Sequence, residues 1–178
     1  MSVEIVFETH SFSEDNERGI ATGWLPGRLS ERGRIAAREL GERRRDDNIA
    51  AVFASDLRRA VETASIAFDA TPIPILLDWR LRECDYGDRN GTDAAPLHAD
   101  RAAHLDVPYR NGESWRQAVA RVGRFLDDVP SRWHDRRILV VGHMATWYAF
   151  ENRFCGVELP ALFAEDFRWR EGWEYLLV

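Results

Sequence analysis

The sequence predicts an α/β fold: a three-layer sandwich with a mostly parallel sheet, helices on both faces and an antiparallel edge strand. Three observations carry this prediction. Short apolar runs rich in β-branched residues, VEIVF at 3–7, AAVFA at 50–54 and ILVV at 138–141, have the length and continuity of parallel strands buried on both faces. Segments of helical period separate them, which is the alternation that places helices over a parallel sheet. The chain ends in EGWEYLLV, where apolar and polar residues alternate as in an edge strand.

The first strand leads to Glu8, Thr9 and His10. The polar stretch SFSEDNERG follows, then Gly23, Pro26 and Gly27, which read as a long loop over the strand end. Ser30 is placed to cap a helix running to about Asp46, whose ERR and RRR charges suggest a solvated outer face. After the strand at 50–54, Ser55 is placed to cap a helix whose Leu57, Ala60, Val61, Ala64 and Phe68 share one face. PIPILL at 72–77 reads as a short strand, its prolines favouring an edge. Residues 78–112 have weak periodicity, turn signals at YGDRNG and helical character around 94–104, and are expected to form an irregular insertion capping the site. Ser114 and Gln117 make a capping box for a helix carrying Trp115, Val119, Val122, Leu126 and Val129 and ending near Pro130. The strand at 137–142 leads into a helix from Ala145 to Phe154.

A chain of 178 residues, 45% hydrophobic, fits one domain spanning 1–178. Its net charge of −6 and pI near 5.4 argue against nucleic acid as the main partner. No apolar stretch approaches the roughly 20 residues of a membrane helix, and the N-terminus does not read as a secretory signal, so the expectation is a soluble, cytoplasmic protein without a membrane partner. Two cysteines, Cys84 and Cys155, without paired spacing read as reduced thiols. All 24 basic residues are arginine, which excludes a Schiff-base lysine and a P-loop lysine. Any cationic contact to phosphate must then come from a planar guanidinium that can bind two oxygens.

Two strands end in histidine, His10 after VEIVFET and His143 after VVG. Strand ends are where open α/β sheets bind ligands, so both imidazoles can share one crevice. Arg59, in the first turn of a helix that directly follows a strand, can reach the same sheet edge, where free N–H groups and the helix dipole also favour an anion. Arg58 reads as a surface residue. Glu83 sits among Arg80, Arg82 and Arg89, either as a surface ion pair or as a general acid. His98, His104 and His134 lack the spacing of zinc ligands and read as surface or packing residues; no metal or cofactor is expected. Trp24, in the loop over the site, is open to a ligand role or to loop packing.

Taken in order, these pieces resemble the histidine phosphatase superfamily, the phosphoglycerate-mutase-like fold. They are the N-terminal strand and His10, Asn16, TGW at 22–24, LSERG at 29–33, SDLRRAVETA at 55–64, LRECDYGDRNG at 81–91, NGES at 111–114 and VVGH at 140–143. The resemblance implies phosphoryl transfer through a phosphohistidine on His10, with His143 and Arg59 holding the phosphoryl group and Glu83 donating a proton to the leaving group. It also implies that Asn16 and the Thr22–Gly23 backbone belong to the phosphate or substrate loop, and that the partner is a small phosphorylated metabolite.

Thr9-His10-Ser11 stands where the family usually has Arg-His-Gly, Gly142 replaces the usual serine, and Met144 replaces a small residue. A hydrogen bond to a charged group is worth about 1.5–3 kcal/mol, so one lost arginine slows catalysis by about ten- to a hundredfold unless another group replaces it. Thr9 offers a hydroxyl, and Arg18 in the overlying loop is expected to supply part of the missing charge. The function expected is a metal-independent phosphatase; the alternatives are a phosphoglycerate-type mutase and a catalytically weakened phosphate-binding or regulatory protein of the same fold.

Overall fold

A computed structural model describes residues 2–165 and 167–178. Its main sheet has five strands: β1 (Val3–Thr9), β3 (Ile49–Ala54), β4 (Ile75–Leu77), β6 (Arg136–Gly142) and β7 (Trp173–Leu177), in the order β4-β3-β6-β1-β7. All neighbours are parallel except β7, which lies antiparallel to β1 at the edge. In β7, Trp173, Tyr175 and Leu177 are buried and alternate with exposed residues, as the sequence alternation predicts. Short β4, preceded by Pro72 and Pro74, forms the other edge, where a missing backbone N–H costs no ladder bond.

The three central strands, β1, β3 and β6, are buried on both faces because they are apolar on both. Ile5, Phe7, Phe53 and Val140 pack toward α5 (Trp115–Asp128) and α7 (Met144–Cys155), meeting Phe125 and Phe150. Val6, Val52, Ala54 and Val141 pack on the opposite face with Ala60, Ala64 and Phe68 of α3 (Arg58–Phe68). Helix α2 (Glu31–Arg43) lies beside α3. Ser30 caps α2 through Gly33 N, and the Ser114–Gln117 capping box of α5 is formed in full. Ser55 does not cap α3; its Oγ accepts from Leu57 N at 3.2 Å, two residues early, and Leu57 itself is the N-cap residue.

Residues 78–112 are mostly turns and short helices, among them α4 (Ala94–Ala99) and a 3-10 turn at Arg101–His104. They also hold β5 (Thr92–Asp93), which pairs with β2 (Ile20–Ala21) and ties this segment to the loop after β1. Between α7 and β7 lies α8 (Leu159–Ala164), a helix with no counterpart in the sequence expectations. Among the described residues no helix is long and apolar enough to cross a membrane.

Register sets the site. Thr9 pairs with Gly142 where β1 and β6 end together, and His10 N donates to Gly142 O at 3.0 Å. Both strands therefore release a histidine at the same level. The chain leaves β1 toward β3 and leaves β6 toward β7, in opposite directions across the sheet, which opens a crevice between them.

Candidate active site

His10 and His143 face each other across this crevice, ring centroids 4.9 Å apart. The Nδ1 of His10 lies 2.8 Å from Ser11 O, which fixes that nitrogen as the donor and leaves Nε2 with its lone pair. Burial, aided by the charge of Arg59, pulls the His10 pKa down to about 3, so the ring is neutral at ordinary pH. His143 is fully buried, and neither of its ring nitrogens has a hydrogen-bond partner. Burial first, then Arg59 and His10, hold its pKa well below the usual histidine value. His143 thus keeps a ring donor and a ring acceptor unengaged by other protein groups.

Arg59 reaches this point because α3 begins just after β3. Its Nη2 donates to Gly23 O at 2.9 Å, its Nη1 to Leu25 O at 3.3 Å, and its Nε to His10 Nε2 at 3.3 Å. The loop carbonyls aim the guanidinium, and the long contact to His10 is easily exchanged for a phosphoryl oxygen. Gly23 has φ of +55°, and a Cβ there would lie 1.8 Å from Asn90 Oδ1, the atom that accepts from Trp24 N and Tyr86 N. The position requires glycine on both counts.

Glu83 is buried against the N-terminus of α7. Its Oε1 accepts from Cys84 N at 2.8 Å and Ala145 N at 3.1 Å, and its Oε2 from Met144 N at 3.2 Å. Burial raises its pKa, and these N–H groups and Arg59 only partly offset that rise. The balance favours a carboxyl group that can hold a proton, the requirement for a general acid. Gly142 is explained by the same helix start. A Cβ on it would sit 2.4 Å from Thr146 Oγ1, which accepts from His143 N and donates to Leu81 O.

Asn16, Thr22, Gly23, Thr9 and Met144 share one cavity with the four residues above. Asn16 Oδ1 is engaged in the capping box of α1 (Glu14–Glu17), and Thr22 Oγ1 donates to Asp15. Arg18 does not join them. It is the C-cap residue of α1, its side chain is exposed and paired with Asp15, and it lies off the cavity wall, so it does not supply the charge expected of it. Trp24 also lies off the wall; its Nε1 donates to Glu83 O at 2.6 Å and Arg82 stacks over its ring, which makes it loop packing. His98, read from the sequence as surface or packing, lines the cavity from α4.

Arg121 escaped the sequence reading. Buried on α5, it donates to Arg80 O at 2.7 Å, Arg82 O at 2.9 Å and Glu83 O at 3.1 Å, and pairs with Glu113. One guanidinium thus clamps the backbone that presents Glu83. The only signal was a charged residue on the apolar face of α5, one helical turn before Phe125. Among the described residues no group of three or more His, Cys, Asp or Glu is arranged to hold a metal ion.

The profile of the histidine phosphatase superfamily (branch 1) matches residues 5–168. The chain belongs to that superfamily. It is 35% identical over 149 residues to an Arthrobacter 2,3-bisphosphoglycerate-dependent phosphoglycerate mutase, covering 80% of this chain and 58% of the mutase. A Candida albicans phosphoglycerate mutase matches at 39% identity over 52% of this chain and 39% of its own length, so the chain spans about half the length of these curated relatives. A Hydrogenobacter thermophilus protein, provisionally called phosphoserine phosphatase 2, is 31% identical over 86% of this chain and 79% of its own. Among solved structures, Bacillus stearothermophilus YhfR superposes with a TM-score of 0.86 at 26% identity, covering 98% of this chain and 90% of that one. A mycobacterial glucosyl-3-phosphoglycerate phosphatase does so with a TM-score of 0.75 at 26% identity, covering 92% and 84%. Phosphatases and mutases of the superfamily thus share this chain's architecture.

Proposed function

We propose that this member of the histidine phosphatase superfamily is a metal-independent phosphatase that hydrolyses a phosphate monoester through a phosphohistidine on His10. The observation that carries the reading is the neutral His10, whose proton-free Nε2 meets only a long 3.3 Å contact from Arg59 Nε in a cavity shared with Arg59, Glu83 and His143.

In the first step Nε2 attacks phosphorus and the bond to the leaving oxygen breaks, while Glu83 gives that oxygen its proton. Arg59 and His143 face the equatorial oxygens, where phosphoryl transfer gains most from positioned charge and donors. In the second step a water attacks phosphorus, its proton returns to Glu83, and the P–N bond breaks to release inorganic phosphate and restore neutral His10. Oε2 of Glu83, with a single N–H contact at 3.2 Å, is the oxygen suited to carry the transferable proton. Splitting one displacement into two is the advantage of the covalent route.

The test is phosphate release from a generic aryl phosphate in the presence of a chelator. Activity should persist with the chelator and disappear in His10→Ala. Full activity in His10→Ala would overturn the reading, and no activity over a broad panel of phosphate esters would favour a phosphate-binding protein.

A further inference from the structure

The cavity, about 960 Å³, is far larger than a phosphoryl group and extends beyond the two histidines along a second channel. One wall is a face of α2: Arg32, Ile35, Ala36, Leu40 and Arg43 recur at helical spacing. The other wall is the extended segment before β7, where Phe167, Trp169 and Glu171 present alternate residues. Ile35 and Trp169 are 48% and 55% exposed, large apolar side chains that line the same cavity. Phe167 is fixed from behind by Trp147 and Trp173.

The charges around this channel are partly paired, and Arg32 and Glu39 bring one charge of each sign to the α2 wall. At its floor Glu8 is buried against Arg43 and Arg44, and Arg44 also pairs with Asp47, so two carboxylates answer two guanidinium groups. The Arg32 guanidinium lies over the Phe12 ring, 3.9 Å from its centroid. The Arg43 and Arg44 charges face Glu8 and Asp47, and the exposed Ile35 and Trp169 side chains are the large apolar surface left on the cavity wall. Thr9 lines the same cavity as His10 and Glu8.

Building on the phosphatase reading, we infer that the channel between α2 and residues 167–171 holds the leaving group, and that the substrate is a phosphate monoester of an alcohol bearing a flat apolar ring system. Ile35, Ala36 and Trp169 are then specificity-determining residues, and a small polar alcohol phosphate leaves the channel empty.

Two substrates with similar alkoxide leaving groups test this, 2-naphthylmethyl phosphate and ethyl phosphate. The wild-type protein should favour the naphthylmethyl ester by about tenfold or more in kcat/KM, as burial of a ring requires. Ala36→Trp, which fills the channel, and Trp169→Ala, which removes an exposed wall and spares the core, should each reduce that preference about fivefold. Calorimetric binding of the corresponding phosphonates, which needs no turnover, should give the same preference and the same losses. Equal treatment of the two ligands by the wild type, or a preference unchanged in both variants, overturns the inference. Preferential phosphonate binding without turnover would instead overturn the phosphatase reading and leave the channel standing.

Discussion

Replacing Glu83 by glutamine separates proton donation from every other property of the site. The side chain keeps its shape, and its amide oxygen can still accept from Cys84 N and Ala145 N, but the NH2 then faces Met144 N, which had donated to Oε2 at 3.2 Å. That lost acceptor costs about 1–3 kcal/mol of stability, tolerable in a folded protein. Loss of the acid should lower kcat/KM by about 10²- to 10⁴-fold on an alkyl phosphate, equivalent to about 3–5 kcal/mol of barrier. With 4-nitrophenyl phosphate, whose leaving group departs unprotonated, the loss in the phosphorylation step should be less than about tenfold. The pH profile adds a second readout. Burial raises the Glu83 pKa, so the protonated form is lost as pH rises through that raised value, and kcat/KM on alkyl phosphates should fall on the alkaline side. His10, at about 3, stays neutral throughout and contributes no acid limb above that point. Steady-state kinetics of both proteins on both substrates from pH 5 to 9 make the comparison. Equal losses in kcat/KM on the two esters, a ratio that reports phosphorylation and excludes the water step Glu83 also serves, or an alkaline limb of kcat/KM that survives in Glu83→Gln, would refute the assignment of Glu83 as the acid.

Arg121→Lys keeps the charge but cannot reproduce the fork that holds three carbonyls and Glu113. It should lower kcat on alkyl phosphates about ten- to a hundredfold with little change in KM and a smaller loss on 4-nitrophenyl phosphate; a uniform loss on both would indicate general destabilisation. Acid should destabilise the fold through the buried histidines. Their folded pKa values lie below the unfolded 6.5, so the unfolded chain binds more protons as pH falls below that value, and stability drops with it. At pH 5 the His10 contribution is at most about 2 kcal/mol, an upper bound because its ring is partly accessible to solvent. Urea unfolding at pH 8 and pH 5 should therefore show a smaller pH-dependent loss in His10→Gln than in the wild type; equal losses would contradict the buried-neutral account.

The parts of the site legible in the sequence were those fixed by short-range pattern. VEIVF and ILVV read as buried parallel strands, and once β1 and β6 pair in register the two histidines must meet. Arg59 followed from a helix that starts directly after a strand. Arg18 was misread because a loop over a strand end does not reveal which side chains turn inward, and the C-cap of α1 sends this one to Asp15. The role of Arg121 depends on carbonyls about 40 positions earlier in the chain, a relation without local signature. The charge runs of α2 mark its solvated outer face and say nothing of the face where Ile35, Ala36 and Leu40 line the cavity. Trp24 resolved to packing for a similar reason, because its partner is a backbone carbonyl at Glu83.

On the phosphatase reading, phosphate passes covalently through His10. Rapid mixing with a phosphate ester labelled on phosphorus, an acid-free quench and peptide mapping would test it most directly. The account predicts acid-labile, base-stable label on His10, formed and discharged at rates compatible with turnover and absent from His10→Ala. Label on Cys84 or a serine, or steady hydrolysis with no label on His10 at any mixing time and even after His143 or Glu83 substitution, would contradict it.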